Sequence, residues 1–202
     1  MIQGSEEWFA ARLGKVTASR IADVFASTKS GWGAGRINYE AELIAERLTG
    51  QATEGFTNAT MQRGSDTEAS AASAYEFLRD VEIEQVGFVD HPAIEMSGAS
   101  PDGLIGTDGL VEIKCPNTAT HIATILGKSI PGKYANQMAW QLACTGRLWC
   151  DFVSFDPRMP ARHQLCVTRV ERDNAKITEL EDGVRAFIAE MTEKLRRLES
   201  PT

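Results

Sequence analysis

The chain of 202 residues has only three histidines, and its four cysteines (Cys115, Cys144, Cys150 and Cys166) show no Cys-x2-Cys pairing. Zinc and iron–sulfur ligation are therefore unsupported, and reduced thiols of a cytoplasmic protein are the expectation. No window approaches the roughly 18 uninterrupted apolar residues that a membrane helix needs. The N-terminus carries Glu6 and Glu7 instead of a basic region with an apolar stretch, so no signal peptide is expected. Basic residues are also scarce, 21 against 28 acidic ones, for a net charge of −7. Binding to a phosphate backbone relies on Lys and Arg, so composition alone gives no hint of a nucleic-acid partner. The distribution softens that objection. Residues 1–36 hold Arg12, Lys15, Arg20, Lys29 and Arg36 against Glu6, Glu7 and Asp23, a local net of +2, and the remainder carries −9. An enzyme that encloses an anionic substrate can confine its positive field to one channel.

A hydrophobic content of 43% over this length suits a single domain, residues 1–202, with a substantial core. The most informative segment is Ser100-Pro101-Asp102-Gly103 followed by Glu112-Ile113-Lys114. Leu110 to Lys114 alternates apolar and charged residues, as a half-buried strand does, so Glu112 and Lys114 share one face. Gly106-Thr107-Asp108-Gly109 is a tight-turn sequence that folds this strand back on Leu104-Ile105. Asp102 then lies beside Glu112, and two hard oxygen donors converge near an amine. That combination suits a Mg²⁺ site that activates water. Taken singly, each feature is ordinary: most charge patterns are solvated faces, and Pro, Asp and Gly are all turn formers. Together they match the nuclease signature PD-(D/E)-x-K, a motif that its structural context has to confirm.

The remaining pattern is α/β, a central mixed β-sheet flanked by helices. Helices are expected from Ser5, from Thr17 or Ser19 through Phe25, over Tyr39 to Thr49 with Asn38 as cap, and over about 58–79. Further helices are expected over about 133–145 and 173–198. Strands are expected at 84–89, 94–97, 104–105, 110–114, 149–155 and 164–170, with a mobile loop over Lys29 to Gly35. The stripe Ile177, Leu180, Val184, Phe187, Met191, Leu195 and Leu198 has helical spacing and is expected to be core.

Several motifs recur in order: Trp8-x3-Arg12-Leu13-Gly14-x2-Thr17-Ala18-Ser19, Arg63-Gly64-x3-Glu68, the two segments above with Cys115-Pro116, Tyr134-x2-Gln137-x3-Gln141 and Asp156-Pro157-Arg158-Met159. In this the chain, from about Gly4 to its last helix, resembles the lambda exonuclease-like family of viral recombinases within the PD-(D/E)-x-K superfamily. The resemblance implies a restriction-endonuclease-like core and a Mg²⁺-dependent 5′→3′ exonuclease acting on double-stranded DNA ends. Such an enzyme releases 5′-mononucleotides and leaves a 3′ single strand for recombination. It further implies two Mg²⁺ ions with Mn²⁺ as a substitute, a ring-shaped homotrimer, a single-strand annealing recombinase as partner, and a phage or prophage gene expressed in a bacterial host. A restriction- or repair-type endonuclease and a non-catalytic DNA-binding module are the rival readings. Covalently closed circles separate the first rival, and the complete Asp102, Glu112, Lys114 set weighs against the second.

Asp102, Glu112 and the Ile113 carbonyl are the expected metal ligands. Lys114 is expected to orient or deprotonate the attacking water, or to act electrostatically on the scissile phosphate. Glu68 lies on a helical stripe with Met61, Ala72 and Tyr75. A surface salt bridge explains it equally well from its spacing alone, and the resemblance adds it to the metal site. Gln137 is assigned to the catalytic centre by the resemblance, whereas Gln141 has no such support; glutamines on this face with Tyr134 are more often solvent-exposed. Arg12, Ser19 and Ser100 suit a terminal 5′-phosphate, since arginine grips phosphate with two parallel bonds and a hydroxyl adds a neutral donor. Lys29, Met61 and Tyr134 are the expected DNA contacts. The family places a strand-separating wedge where Met61 stands, with another apolar residue in the lambda enzyme, and an Arg where this chain has Lys29.

Overall fold

The computed structural model describes residues 1–53, 59–127 and 130–200, with backbone alone at 59–66. In chain order the elements are α1 (Glu6–Arg12), β1 (Val16–Thr17), α2 (Ile21–Val24), β2 (Ser27–Thr28), β3 (Gly31–Trp32), α3 (Ala34–Thr49) and α4 (Ala59–Arg79). There follow β4 (Ile83–Glu84), β5 (Val89–Asp90), β6 (Ser97–Ala99), β7 (Gly103–Ile105), β8 (Gly109–Lys114), α5 (Thr118–Gly127), α6 (Gly132–Thr145), β9 (Trp149–Phe155), β10 (Leu165–Glu171) and α7 (Asn174–Glu199). Short 3-10 turns occupy Ala18–Arg20 and Ala161–His163. None of these helices is long and apolar enough to cross a membrane.

A five-stranded sheet in the order β10-β9-β8-β7-β4 forms the centre. Its β8–β9 pair is parallel and its other pairs are antiparallel, so the sheet is mixed as expected. Parallel neighbours need a long crossover, and α5 and α6 supply it. A second sheet, β1-β6-β5, joins β1 parallel to β6.

The expected half-exposed strand is corrected: β8 is covered on both faces. Leu110 packs with Met138 and Leu142 of α6, while Val111 and Ile113 pack with Ala71 and Tyr75 of α4. The period of two is therefore real, but neither face is wet, and Glu112 is fully buried. The residue pattern of a strand does not report what covers it.

Three local expectations also shift. The segment from Lys29 is no loop: Ser27↔Trp32 and Thr28↔Gly31 pair as a hairpin, with Lys29 and Ser30 at its tip. Helix α3 starts at Ala34, four residues before Asn38, with Gly33 as an extended N-cap. Gly35 allows this start because a Cβ there would stand 3.0 Å from Asp23 Oδ1 and 3.3 Å from Ala26 Cβ, so α2 and α3 approach closely. Helix α5 escaped notice because its Thr and Ile residues have modest helix propensity. It is held by tertiary contacts, with His121 and Thr124 buried and Asn117 Oδ1 accepting the Thr120 amide at 2.9 Å. The α7 stripe is buried from Ile177 to Met191, but Leu198 at its end is exposed.

Candidate active site

Register brings the two acidic residues together. Gly103 pairs with Val111, so the next position outward sets Asp102 against Glu112. Asp102 Oδ2 accepts the Ile113 amide N–H at 2.7 Å, a ladder-like bond made by a side chain where β7 has ended. The glycine after Asp102 is required by packing: a Cβ at Gly103 would fall 2.2 Å from Ile83 Cγ2 of β4.

Glu112 is held on both oxygens. Gln137 Nε2 donates to Oε1 and Gln141 Nε2 to Oε2, each at 2.6 Å, and Lys114 Nζ forms a close ion pair with Oε1. Gln137 and Gln141 stand one helical turn apart on α6, and this is what lets one helix grip both oxygens. Gln141 is fully buried, so its sequence-based reading as a surface glutamine is corrected. The signal was its i+4 spacing from Gln137 on a helix whose neighbouring residues are apolar.

Burial first, and then the charge of Glu112, push the Asp102 carboxyl up to about 8, against the opposing pull of Lys114. Burial pulls the Lys114 ammonium down, but Glu112 and Asp102 outweigh it and hold its pKa above the ordinary lysine range. Tyr134 stacks on Phe152 at 5.6 Å, and its ring lies 5.7 Å from Lys114 Nζ.

Glu68 does not join the inward stripe. Ala71 and Tyr75 are buried, whereas Glu68 is largely exposed at the rim. Partial burial raises its carboxyl, Lys114 lowers it and Glu112 raises it further, so it senses the centre without entering it. Among the described residues no group of three or more His, Cys, Asp or Glu is placed to hold a metal ion, so Glu68 does not complete a carboxylate cluster. The expectation of Glu68 as a direct ligand is not met in this arrangement. The residues present still fit Mg²⁺. They are hard oxygen donors, a bound cation would favour the ionised form of Asp102, and Mg²⁺ keeps several waters and takes few protein ligands.

The second cluster forms at one end of β1 and β6. These strands are parallel, with Thr17↔Gly98, so the turn carrying Ser19 and the segment carrying Ser100 leave from the same end. Arg12 Nη1 donates to Ser100 Oγ at 3.2 Å, and Trp8 Nε1 donates to the same oxygen at 2.9 Å. The Arg12 guanidinium lies 4.0 Å above the Trp8 ring and has no carboxylate in ion-pair contact among the described residues. Trp8 received no role from the sequence, although its i, i+4 relation to Arg12 on α1 was legible. Ser19 is exposed, with Oγ 3.4 Å from Thr17 Oγ1. Lys29 is exposed on its hairpin, and the side chain of Met61 lies outside the described residues.

The expected positive field of residues 1–36 is mostly spent internally. Lys15 pairs with Asp90, Arg20 with Asp23 and Glu42, and Arg36 with Glu190. Of these five, Arg12 and Lys29 have no ion pair among the described residues.

A hairpin and strand that present Asp, Glu and Lys from a mixed sheet flanked by helices form the PD-(D/E)-x-K type of core. Residues 7–148 match the YqaJ-like viral recombinase domain, and the chain belongs to that family. It is similar to LHK-Exo, an alkaline exonuclease from Laribacter hongkongensis, with 53% identity over 96% of each chain and a TM-score of 0.90. A second structure of that protein, in complex with dAMP, matches equally well. A phage-related exonuclease from Haemophilus somnus 129PT shares the fold, with 16% identity over 92% of this chain and 96% of the other and a TM-score of 0.69. No curated protein sequence matches.

Proposed function

We propose that this protein is a Mg²⁺-dependent 5′→3′ exonuclease of double-stranded DNA that releases 5′-mononucleotides and leaves a 3′ single strand. The observation that carries the reading is the short path between two clusters: Ser100, which receives Arg12 and Trp8, stands two residues from Asp102. A terminal phosphate held by Arg12 and Ser100, with Ser19 nearby, brings the first phosphodiester of that strand towards Asp102, Glu112 and Lys114. The similarity to an alkaline exonuclease solved with a mononucleotide supports the same class of reaction.

Asp102, Glu112 and the Ile113 carbonyl would hold the cation, and Glu68 adds negative charge at the rim. Bound Mg²⁺, as two ions and with Mn²⁺ as a substitute, would supply an activated water and stabilise the leaving oxygen. Gln137 and Gln141 fix the orientation of Glu112. Lys114 contributes its ammonium to the scissile phosphate or, if cation binding displaces its proton, accepts one from the attacking water. Met61, Lys29 and Tyr134 contact the DNA. By family membership the proposal extends to a ring-shaped homotrimer, to a single-strand annealing recombinase as partner, and to a phage or prophage role in the cytoplasm of a bacterial host.

The test is digestion of linear duplexes labelled separately at each end, with and without Mg²⁺, beside covalently closed circles. Loss of the 5′ label as mononucleotide, only with Mg²⁺ and only from linear DNA, is the expected result. Cleavage of closed circles establishes an endonuclease instead.

A further inference from the structure

The chain has a long region without exposed negative charge. From Ile113 to Val170 there are seven basic residues and two acidic ones, a net of +5, which leaves −12 to the other 144 residues. Both acids, Asp151 and Asp156, are fully buried and neutralised, the first by Arg169 and the second by Arg158. The surface built by these 58 residues therefore carries no solvent-exposed carboxylate, in a protein that is otherwise strongly acidic.

The topology gathers part of this positive charge at the active-site edge. Because β8 and β9 are parallel, Lys114 and Phe155 end on the same side, and the 156–164 segment leaves from there. That segment is fixed against the chain that follows β8 and against α5. Arg158 Nη2 donates to the Pro116 carbonyl at 3.3 Å, and the buried His121 holds the His163 carbonyl through Nε2 at 2.8 Å. Gln164 Nε2 ties down the Pro157 and Met159 carbonyls at 3.1 and 3.0 Å. On this rigid segment Arg162 is exposed, and its Nε donates to His163 Nε2 at 3.0 Å. On the other side Lys133 is exposed at the start of α6, with Nζ 4.7 Å from the Tyr134 ring that also faces Lys114.

We propose that Lys133 and Arg162 flank the catalytic edge as a track for the phosphate backbone of the DNA, reading charge and not sequence. The inference rests on the nuclease reading above and adds the path of the strand beyond the scissile bond. Anionic backbone is the partner that an acid-free surface in an acidic protein fits, since the remaining surface repels it and confines it to this edge. Arg158 serves a different purpose: it caps Asp156, and removing it would leave a buried carboxylate unpaired.

Equilibrium binding of an end-labelled duplex is measured over a range of salt, with Ca²⁺ in place of Mg²⁺, for wild type, Lys133→Ala, Arg162→Ala and the double variant. Each lost phosphate contact flattens the plot of log K against log salt by about 0.9, and the double variant by about twice that. Affinity at fixed salt falls several-fold per residue and to the same extent on unrelated sequences. Lys176→Ala, which removes a half-buried charge at the start of α7 paired with Glu179, is the control and keeps the wild-type slope. A double variant with the slope and affinity of wild type overturns the track while duplex digestion by wild type upholds the nuclease reading. Slopes that fall equally in the control also overturn it, because they report net charge and not a path. A wild type that neither binds nor digests duplex DNA overturns both.

Discussion

The indole N–H of Trp8 donates to Ser100 Oγ at 2.9 Å, across 92 residues of sequence. This bond pins α1 to the segment that leads into Asp102, and the Arg12 guanidinium rests on the same indole at 4.0 Å. Trp8 therefore aims Arg12 as well as anchoring Ser100. Partial burial lowers the Arg12 pKa, against the opposing pull of Tyr39 and Glu46. Arg12→Ala should slow digestion of 5′-phosphorylated duplexes while affecting 5′-hydroxyl ends much less. Charged hydrogen bonds contribute about 1.5–3 kcal/mol, which sets the loss at roughly ten- to hundredfold. A four-way rate comparison of two enzymes and two substrates at fixed salt measures it. Equal slowing on both ends would place end recognition elsewhere.

The second prediction separates ligands from the lysine. Asp102→Ala and Glu112→Ala should abolish hydrolysis and weaken Mg²⁺ binding measured by calorimetry without DNA. Lys114→Ala should lose about 10²–10⁴-fold in rate, the range of positioned proton-transfer groups, yet keep Mg²⁺ binding. A Lys114→Ala protein that loses the metal as fully as Asp102→Ala would make the lysine a structural part of the metal site.

Much of this centre was legible because its chemistry lies in short sequence separations. Asp102, Glu112 and Lys114 are joined by one hairpin, and the Gly106 to Gly109 turn announces its register. What could not be read is whatever depends on distant chain. Gln141 is a ligand holder only because α6 lies over β8, 29 residues away in sequence. Glu68 sits on a helix whose rotation decides between core and rim, and that rotation is set by Ala71 and Tyr75 packing on the sheet. Lys15 and Arg36 looked free in sequence because their acidic partners lie far away, Glu190 being 154 residues from Arg36. The interiors of the long helices and of β7 to β10 follow from periodicity, whereas the expected strands 84–89 and 94–97 meet β4, β5 and β6 only at Glu84, Val89 and Ser97, and the Ser27–Trp32 hairpin and α5 depend on neighbours that no local pattern contains.

The third prediction follows from the grip on Glu112. Gln141→Leu leaves one oxygen of a fully buried carboxylate without its amide donor, which costs about 1–3 kcal/mol or more. For a protein of this size that lowers Tm by roughly 2–4 °C per kcal/mol. Gln137 lies closer to solvent, so water can replace its amide and Gln137→Leu should destabilise less. Thermal unfolding of the two metal-free variants makes the comparison. An unchanged Tm for Gln141→Leu would mean that Glu112 has another donor available.

The last prediction concerns acid. His91 is buried, stacks on Trp140 at 4.9 Å, and accepts the Ala93 and Ile94 amides on Nδ1 at 3.2 and 3.1 Å. Those two donors fix the neutral ring with its proton on Nε2, which lies 3.3 Å from Glu181 Oε1. Taking up a second proton would require Nδ1 to give up both amides. Burial lowers the His91 pKa below its ordinary value of 6.5, Glu181 opposes the shift, and Arg185 adds to it. The unfolded chain, with an ordinary histidine, then binds more protons than the folded one as the pH drops below about 6.5. Stability is therefore full above that pH and is lost on acidification until the lower folded pKa is reached, at no more than about 1.4 kcal/mol per pH unit. His91→Asn keeps a short side-chain oxygen as acceptor and removes the titration. Calorimetric Tm values at pH 7.5 and 5.5 should fall further for wild type than for His91→Asn. Equal falls would show that other groups carry the acid sensitivity and that His91 takes up its proton equally in the folded and unfolded states.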